Sequence, residues 1–194
     1  MRTSAIYTWA TAKANSSRAP FWVGLIFFLE IFLFLPLDAL LIFFCLQNRK
    51  NTWVYVLMAA AASTLSGLMG YFVGHFLWDL VGSYVVPHLI SASTFQRVSG
   101  HFQDYEKWAV FFGSLLPFPL KALSIGAGVF QLGPATFALW MFLARLVRFS
   151  LSGLAMVFYG DKVKQFVDKH FGRIIMIIGA KVAAAFLFFW ILAR

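Results

Sequence analysis

Charge is scarce in this chain, and acid is scarcest: 16 Lys and Arg stand against 7 Asp and Glu in 194 residues, and the four types together make up 12%. With 61% hydrophobic residues and a mean hydropathy of +0.81, too little polar surface remains to cover a soluble domain. A single cysteine, Cys45, excludes an internal disulfide and argues against a thiolate metal cluster. The four histidines, His75, His88, His101 and His170, lack metal-ligand spacing, so no metal and no cofactor is assigned. The first twenty residues, MRTSAIYTWATAKANSSRAP, lack the apolar core and small-residue cleavage site of a signal peptide, and read as a retained interfacial segment. The formal charge of +9 would suggest nucleic acid in a soluble protein. Here Lys and Arg cluster at the ends of apolar segments, where they act as topology signals, and nucleic-acid binding is not expected.

What the chain has in abundance is apolar sequence. Five segments divide it: Phe21 to Leu46, Trp53 to Trp78, Trp108 to Leu132, Ala135 to Gly160, and Ile174 to Leu192. Lipid offers no water to exposed backbone groups, so all five are predicted helical, in an all-α polytopic membrane protein. Proline interrupts two of them, Pro36 in the first and Pro117 and Pro119 in the third, because its ring removes a hydrogen bond and clashes with the preceding turn. The linker from Asp79 to Lys107, with Pro87, includes an amphipathic stretch. A second, basic linker runs from Asp161 to Arg173.

Two phrases recur in the same order. PLDALLI (Pro36 to Ile42) returns as PLKALSI (Pro119 to Ile125), and LSGLMGYFVG (Leu65 to Gly74) returns as LSGLAMVFYG (Leu151 to Gly160). Two echoes in register indicate a duplicated unit of broken helix plus full span. The division is then an interfacial segment at 1–20, a transport unit at 21–160 with repeats near 21–78 and 108–160, and a basic linker and last span at 161–194. If the broken segments dip in and return, giving two re-entrant helices and three full spans, the repeats are inverted. If every segment spans, they are parallel. Loop charges satisfy the positive-inside rule equally in both arrangements.

Five ionisable residues fall inside apolar segments: Glu30, Asp38, Lys121, Arg145 and Arg148. Each costs at least roughly 2.5 to 3.5 kcal/mol at bilayer depth, so such residues face a partner or a water-filled cavity. Arg145 and Arg148 share a helix face with Ser152, and their planar donor forks suit phosphate or carboxylate oxygens. Pro119 suits the first turn of a half-helix whose amides and dipole, with Lys121, favour the same anion. These three cations are the substrate-binding candidates, and Glu30 and Asp38 the proton-coupling candidates. A purely structural reading pairs Asp38 with Lys121, and Glu30 with Arg145 or Arg148, to hold the repeats together. Ser63, Gly67, Gly70 and Gly74 line one face of the second segment and read as packing.

A broken-helix acid, a Gly-rich span and a proline-broken segment ending in Ala-Gly together resemble the DedA family, also called VTT or SNARE-associated membrane proteins, over roughly Phe21 to Gly160. Glu30, Pro36 and Asp38 match its first broken helix, with one proline missing. In the second, Ser114 stands where the family typically has the leading Arg of Arg-x-x-Pro, ahead of Pro117, Pro119, Lys121, Ala127 and Gly128. LARLVRF at Leu143 to Phe149 is similar to the YqaA-like branch. The resemblance implies paired re-entrant hairpins in an inverted repeat, translocation of undecaprenyl phosphate or phospholipid, and proton coupling through the acids.

The expected function is therefore a flippase or scramblase for phosphate-headgroup lipids, multi-pass in the membrane and, if bacterial, in the inner membrane. Homo-oligomerisation is left open. An enzyme is not expected, since LFLPLDA provides no serine or histidine after its proline to attack phosphorus and no metal motif occurs. The alternatives are an ion or small-solute transporter, for which intramembrane charges serve equally, and a non-catalytic assembly protein in which the ions are structural.

Overall fold

The computed structural model describes residues 11–32, 37–88, 91–116 and 119–162. Pro36, Pro117, residues 1–10, most of the second basic linker and the fifth apolar segment lie outside the described residues. The described elements are helical. Helix α1 (Ala19–Phe28) starts with a proline in its first turn and tightens into a 3₁₀ turn at Leu29–Ile31. It is followed by α2 (Leu37–Gln47), a 3₁₀ turn at Arg49–Asn51, α3 (Thr52–His88), α4 (Ala92–Asp104), α5 (Glu106–Leu115), α6 (Leu120–Val129) and α7 (Pro134–Lys162).

Two stretches, Arg49–Leu80 and Pro134–Lys162, are long and apolar enough to cross a membrane; α1 with its 3₁₀ turn, α2 and α6 are shorter apolar helices. At about 1.5 Å per residue, a helix of ten to thirteen residues reaches about 15–20 Å, half of a hydrocarbon core of about 30 Å. The expected break at the prolines is visible at its edges. Leu116, which precedes Pro117, is extended at ψ 163°, and Pro119 is extended as the N-cap of α6. One boundary differs from expectation: α3 continues past Trp78 and ends one residue after Pro87. Between Asp79 and Val86 only Gly82 weakens the helix, so it runs on until a proline removes an amide donor.

Neighbours along α3 show how the pieces run. Gly24 lies against Met58, Glu30 against Ser63, and Ile31 against Ser66 and Gly70, so α1 is parallel to α3. Helix α2 comes back, with Asp38 near its start against Arg148 and Phe44 near its end against Tyr55. The outer ends of the first broken segment, Ala19 and Gln47, therefore both lie at the Thr52 end of α3.

The second broken segment is reversed. Helix α7 is antiparallel to α3, with Gly160 against Arg49, Gly153 against Thr52 and Val56, and Met141 against Gly67. Helix α5 follows α7, from Trp108 beside Trp140 to the Leu115 and Leu116 carbonyls beside Arg148. Helix α6 returns along α3, from Leu120 beside Gly67 to Gly128 beside Tyr71 and His75. A Schellman turn then leads into α7: the Leu132 amide donates to the Ala127 carbonyl at 3.1 Å and the Gln131 amide to the Gly128 carbonyl at 3.0 Å, with Gln131 at φ 54°. The Tyr71 hydroxyl donates to the Leu132 carbonyl at 2.5 Å and ties that turn to α3.

Packing divides into two apolar clusters, one around Val23, Phe27, Leu41, Phe44, Tyr55 and Phe149, the other around Tyr71, Val110, Leu120, Phe137 and Met141. The glycines of α3 set the spacing in the second. A Cβ on Gly74 would overlap the Ile125 carbonyl, and one on Gly128 would overlap the Tyr71 carbonyl, so α3 and α6 touch backbone to backbone. Gly128→Val is expected to lower stability by about 1–3 kcal/mol or more, because rigid backbone has to move. Gly126 faces open space, and Gly126→Ala should be neutral or slightly stabilising. Thermal unfolding of the two variants in detergent checks both directions.

Candidate functional site

Between the two clusters lies a polar layer, assembled where the inner ends of the broken segments reach α7. One member is Glu30, carried on the 3₁₀ turn after α1. One carboxylate oxygen, Oε1, accepts from Arg145 Nη1 at 3.1 Å, and the other, Oε2, accepts from the Ser63 hydroxyl at 2.5 Å. One residue on, the Ile31 amide donates to the Ser66 hydroxyl at 2.9 Å. Ser63 and Ser66 are fully buried and three apart on α3, so one helix face grips both the side chain and the backbone of the turn.

The second pair lies one turn further along α7. Arg148 holds Asp38 in a two-point fork, Nε to Oδ1 at 3.3 Å and Nη2 to Oδ2, the arrangement that planar guanidinium favours. The same guanidinium donates through Nη1 to the Leu116 carbonyl at 2.7 Å and to the Leu115 carbonyl at 3.3 Å. Arg148 thus joins the start of α2 to the end of α5. Pro119 has no amide to offer the Leu115 carbonyl, and the helix ends at Leu115 with Leu116 extended, so both carbonyls are left for a side chain to satisfy.

The pairs differ in access. Arg145 and Glu30 side chains are 6% and 16% exposed, whereas Arg148 and Asp38 are 21% and 36% exposed. Arg145 also lies 5.8 Å from the Phe149 ring centroid, and its Nε has no hydrogen-bond partner among the described residues. The Ser114 hydroxyl, at the position ahead of the carbonyls that Arg148 binds, is likewise buried and unpartnered among them. Lys121 is half-buried in the first turn of α6, two residues after Pro119, and one turn later Ser124 donates to the Leu120 carbonyl. Ser152 donates to the Arg148 carbonyl at 3.4 Å.

Four of the ions singled out in the apolar sequence form two pairs, Glu30 with Arg145 and Asp38 with Arg148. Chemically, the layer offers guanidinium forks that an anion with several oxygens can share, and carboxylates that it would displace. Sequence reasoning placed Ser63 among the packing residues and passed over Ser66. A signal was available, since two hydroxyls at i and i+3 on an otherwise apolar helix have few partners other than a buried polar group. The gripping role of the Leu115 and Leu116 carbonyls has no side-chain signature.

A family profile for the VTT domain matches residues 34–161, a stretch that holds Asp38, Lys121, Arg145 and Arg148 and begins four residues after Glu30. The chain is 30% identical over 145 residues to an uncharacterized protein of Haemophilus influenzae, covering 74% of this chain and 75% of that one. It is 32% identical over 139 residues to an uncharacterized protein of Histophilus somni, covering 71% and 72%. No solved structure matches it significantly.

Proposed function

The chain belongs to the VTT-domain, or DedA, family of membrane proteins, and from that premise we propose that it is a lipid transporter moving a phosphate-bearing headgroup through the polar layer while the tail stays in the bilayer. In this reading the broken segments are re-entrant hairpins that dip from opposite faces of the membrane, α3 and α7 are full spans, and the repeats are inverted. The half-length of each arm and the reversed order of neighbours along α3 support it.

The observation that carries the proposal is the position of Arg148, bound at once to Asp38 of one hairpin and to the Leu115 and Leu116 carbonyls of the other. A phosphate that takes the Arg148 fork competes with Asp38 for the same donors, so binding loosens the contact between the hairpins. The more open pair is the one that exchanges, while Lys121 adds charge from the second hairpin and the drier Glu30–Arg145 pair keeps the first in place. Asp38, once displaced, loses its charge partner, and in this reading that is the step at which the acids couple movement to protons.

The test uses purified protein in phosphatidylcholine vesicles containing a lipid with a fluorescent phosphate headgroup. An impermeant reductant should quench the inner-leaflet label much faster than in protein-free vesicles. Ion flux without lipid movement would sink the reading and favour a solute transporter, and phosphate release would mark an enzyme.

A further inference from the structure

The two ends of the molecule are charged differently, which sequence order conceals. At the Thr52 end the described residues carry Lys13, Arg18, Arg49, Lys50 and Lys162, with Asp161 the acid among them. At the other end Arg97 and Lys107 stand with Asp79, Asp104 and Glu106. Along the chain the second group separates Lys50 from Lys162; folding α1 and α2 as a returning pair, with α7 antiparallel to α3, brings the five cations together. Arg18 is the residue before α1, and Arg49 and Lys50 follow α2, so both arms of the first hairpin emerge among cations. Arg49 is held by Asp161 in a two-point pair and packs on Gly160, and Lys13 lies 4.5 Å from the Trp22 ring centroid. Arg18, Lys50 and Lys162 are exposed. The mouth of the second hairpin has a different character: Asp104, Glu106 and Lys107, with Thr136, line a cavity of about 190 Å³.

We propose that the Thr52 end is a docking surface for the anionic phospholipid headgroups of the cytoplasmic leaflet, gathering them at the mouth of the first hairpin. Charge complementarity selects this partner. Clustered Lys and Arg beside a span are drawn to an anionic leaflet, and a five-to-two excess of Lys and Arg keeps that end cytoplasmic. The inference rests on the hairpin reading, because only returning hairpins place Arg18, Lys50 and Lys162 at one end. It adds a direction: the acid-bearing hairpin opens to the cytoplasm and the Lys121 hairpin to the opposite side.

Single cysteines in a Cys45→Ala background test it. Arg18→Cys, Lys50→Cys and Lys162→Cys should resist an impermeant thiol reagent in intact cells, while Arg97→Cys and Lys107→Cys are labelled. The opposite pattern, with the first three labelled together, overturns the docking surface and leaves the hairpins standing. A split among the first three overturns the hairpins themselves. In a second measurement, the unfolding temperature is compared in nanodiscs of phosphatidylcholine with and without phosphatidylglycerol. Phosphatidylglycerol should raise it, Arg18→Gln with Lys50→Gln should lose at least half of that rise, and Arg97→Gln with Lys107→Gln should keep it. No rise, or equal loss in both double variants, overturns the proposal.

Discussion

Arg148→Gln is expected to reduce headgroup movement in vesicles about tenfold or more while leaving the protein folded. The substitution removes the fork that holds Asp38 and the Nη1 group that reaches the Leu115 and Leu116 carbonyls. Hydrogen bonds to a charged group contribute about 1.5–3 kcal/mol, and each 1.4 kcal/mol is a factor of ten in an equilibrium. Partial exposure of this pair limits the cost to the fold, because the freed Asp38 carboxylate still finds water. Arg148→Lys is the discriminating control. It keeps the charge but cannot bind a carboxylate, or a phosphate, at two points while also reaching a carbonyl. If the guanidinium geometry matters, the lysine variant transports little better than glutamine. If only positive charge is needed, it transports as well as the parent. A glutamine variant with full headgroup movement would remove Arg148 from the transport site.

The sequence was most informative where backbone chemistry is local. Prolines mark where α5 ends and α6 begins, because Leu116 and Pro119 are forced out of helical backbone whatever surrounds them. The intramembrane ions were equally visible, since a charge in an apolar run has few explanations. Their partners were visible only in part: Glu30 was offered Arg145 or Arg148 and pairs with Arg145. Asp38 stands in the place corresponding to Lys121 in the repeated phrase, which invites pairing those two; the structure gives Asp38 the fork of Arg148, from a helix more than a hundred residues away. Nor could loop charges separate dipping from spanning segments, because exchanging Arg49 and Lys50 for Arg97 and Lys107 leaves the count unchanged. That information resides in neighbours such as Gly24 with Met58 and Gly160 with Arg49, contacts between small or long side chains that no periodicity encodes. Ser63 shows the same limit at one residue. Its spacing with three glycines suits helix packing, and only the placement of Glu30 beside it makes it a hydrogen-bond donor to a buried acid.

The Glu30–Arg145 pair should behave as a unit for stability. With side chains 16% and 6% exposed, neither group has easy recourse to water, so removing one strands the other. Glu30→Leu is expected to cost about 3–5 kcal/mol, because Arg145 is left buried and a guanidinium does not give up its proton. Arg145→Met should cost less, since a stranded carboxylate can bind a proton and keep the Ser63 hydrogen bond. Combining Glu30→Leu with Arg145→Met removes both charges, and the double variant should recover most of the loss. Ser63 then needs an acceptor, and the i−4 carbonyl is within its reach, as Thr64 already shows by donating to the Ala60 carbonyl at 2.8 Å. Equilibrium unfolding in detergent reads the three variants against the parent. The same variants also separate structure from transport. If the pair only holds the first hairpin on α3 and α7, the refolded double variant moves headgroups normally. If Glu30 carries protons during transport, the double variant is stable and slow, and any pH dependence that remains belongs to Asp38. Additive losses in stability would mean that the two charges do not depend on each other, and the drier pair would then have no claim to anchor the hairpin.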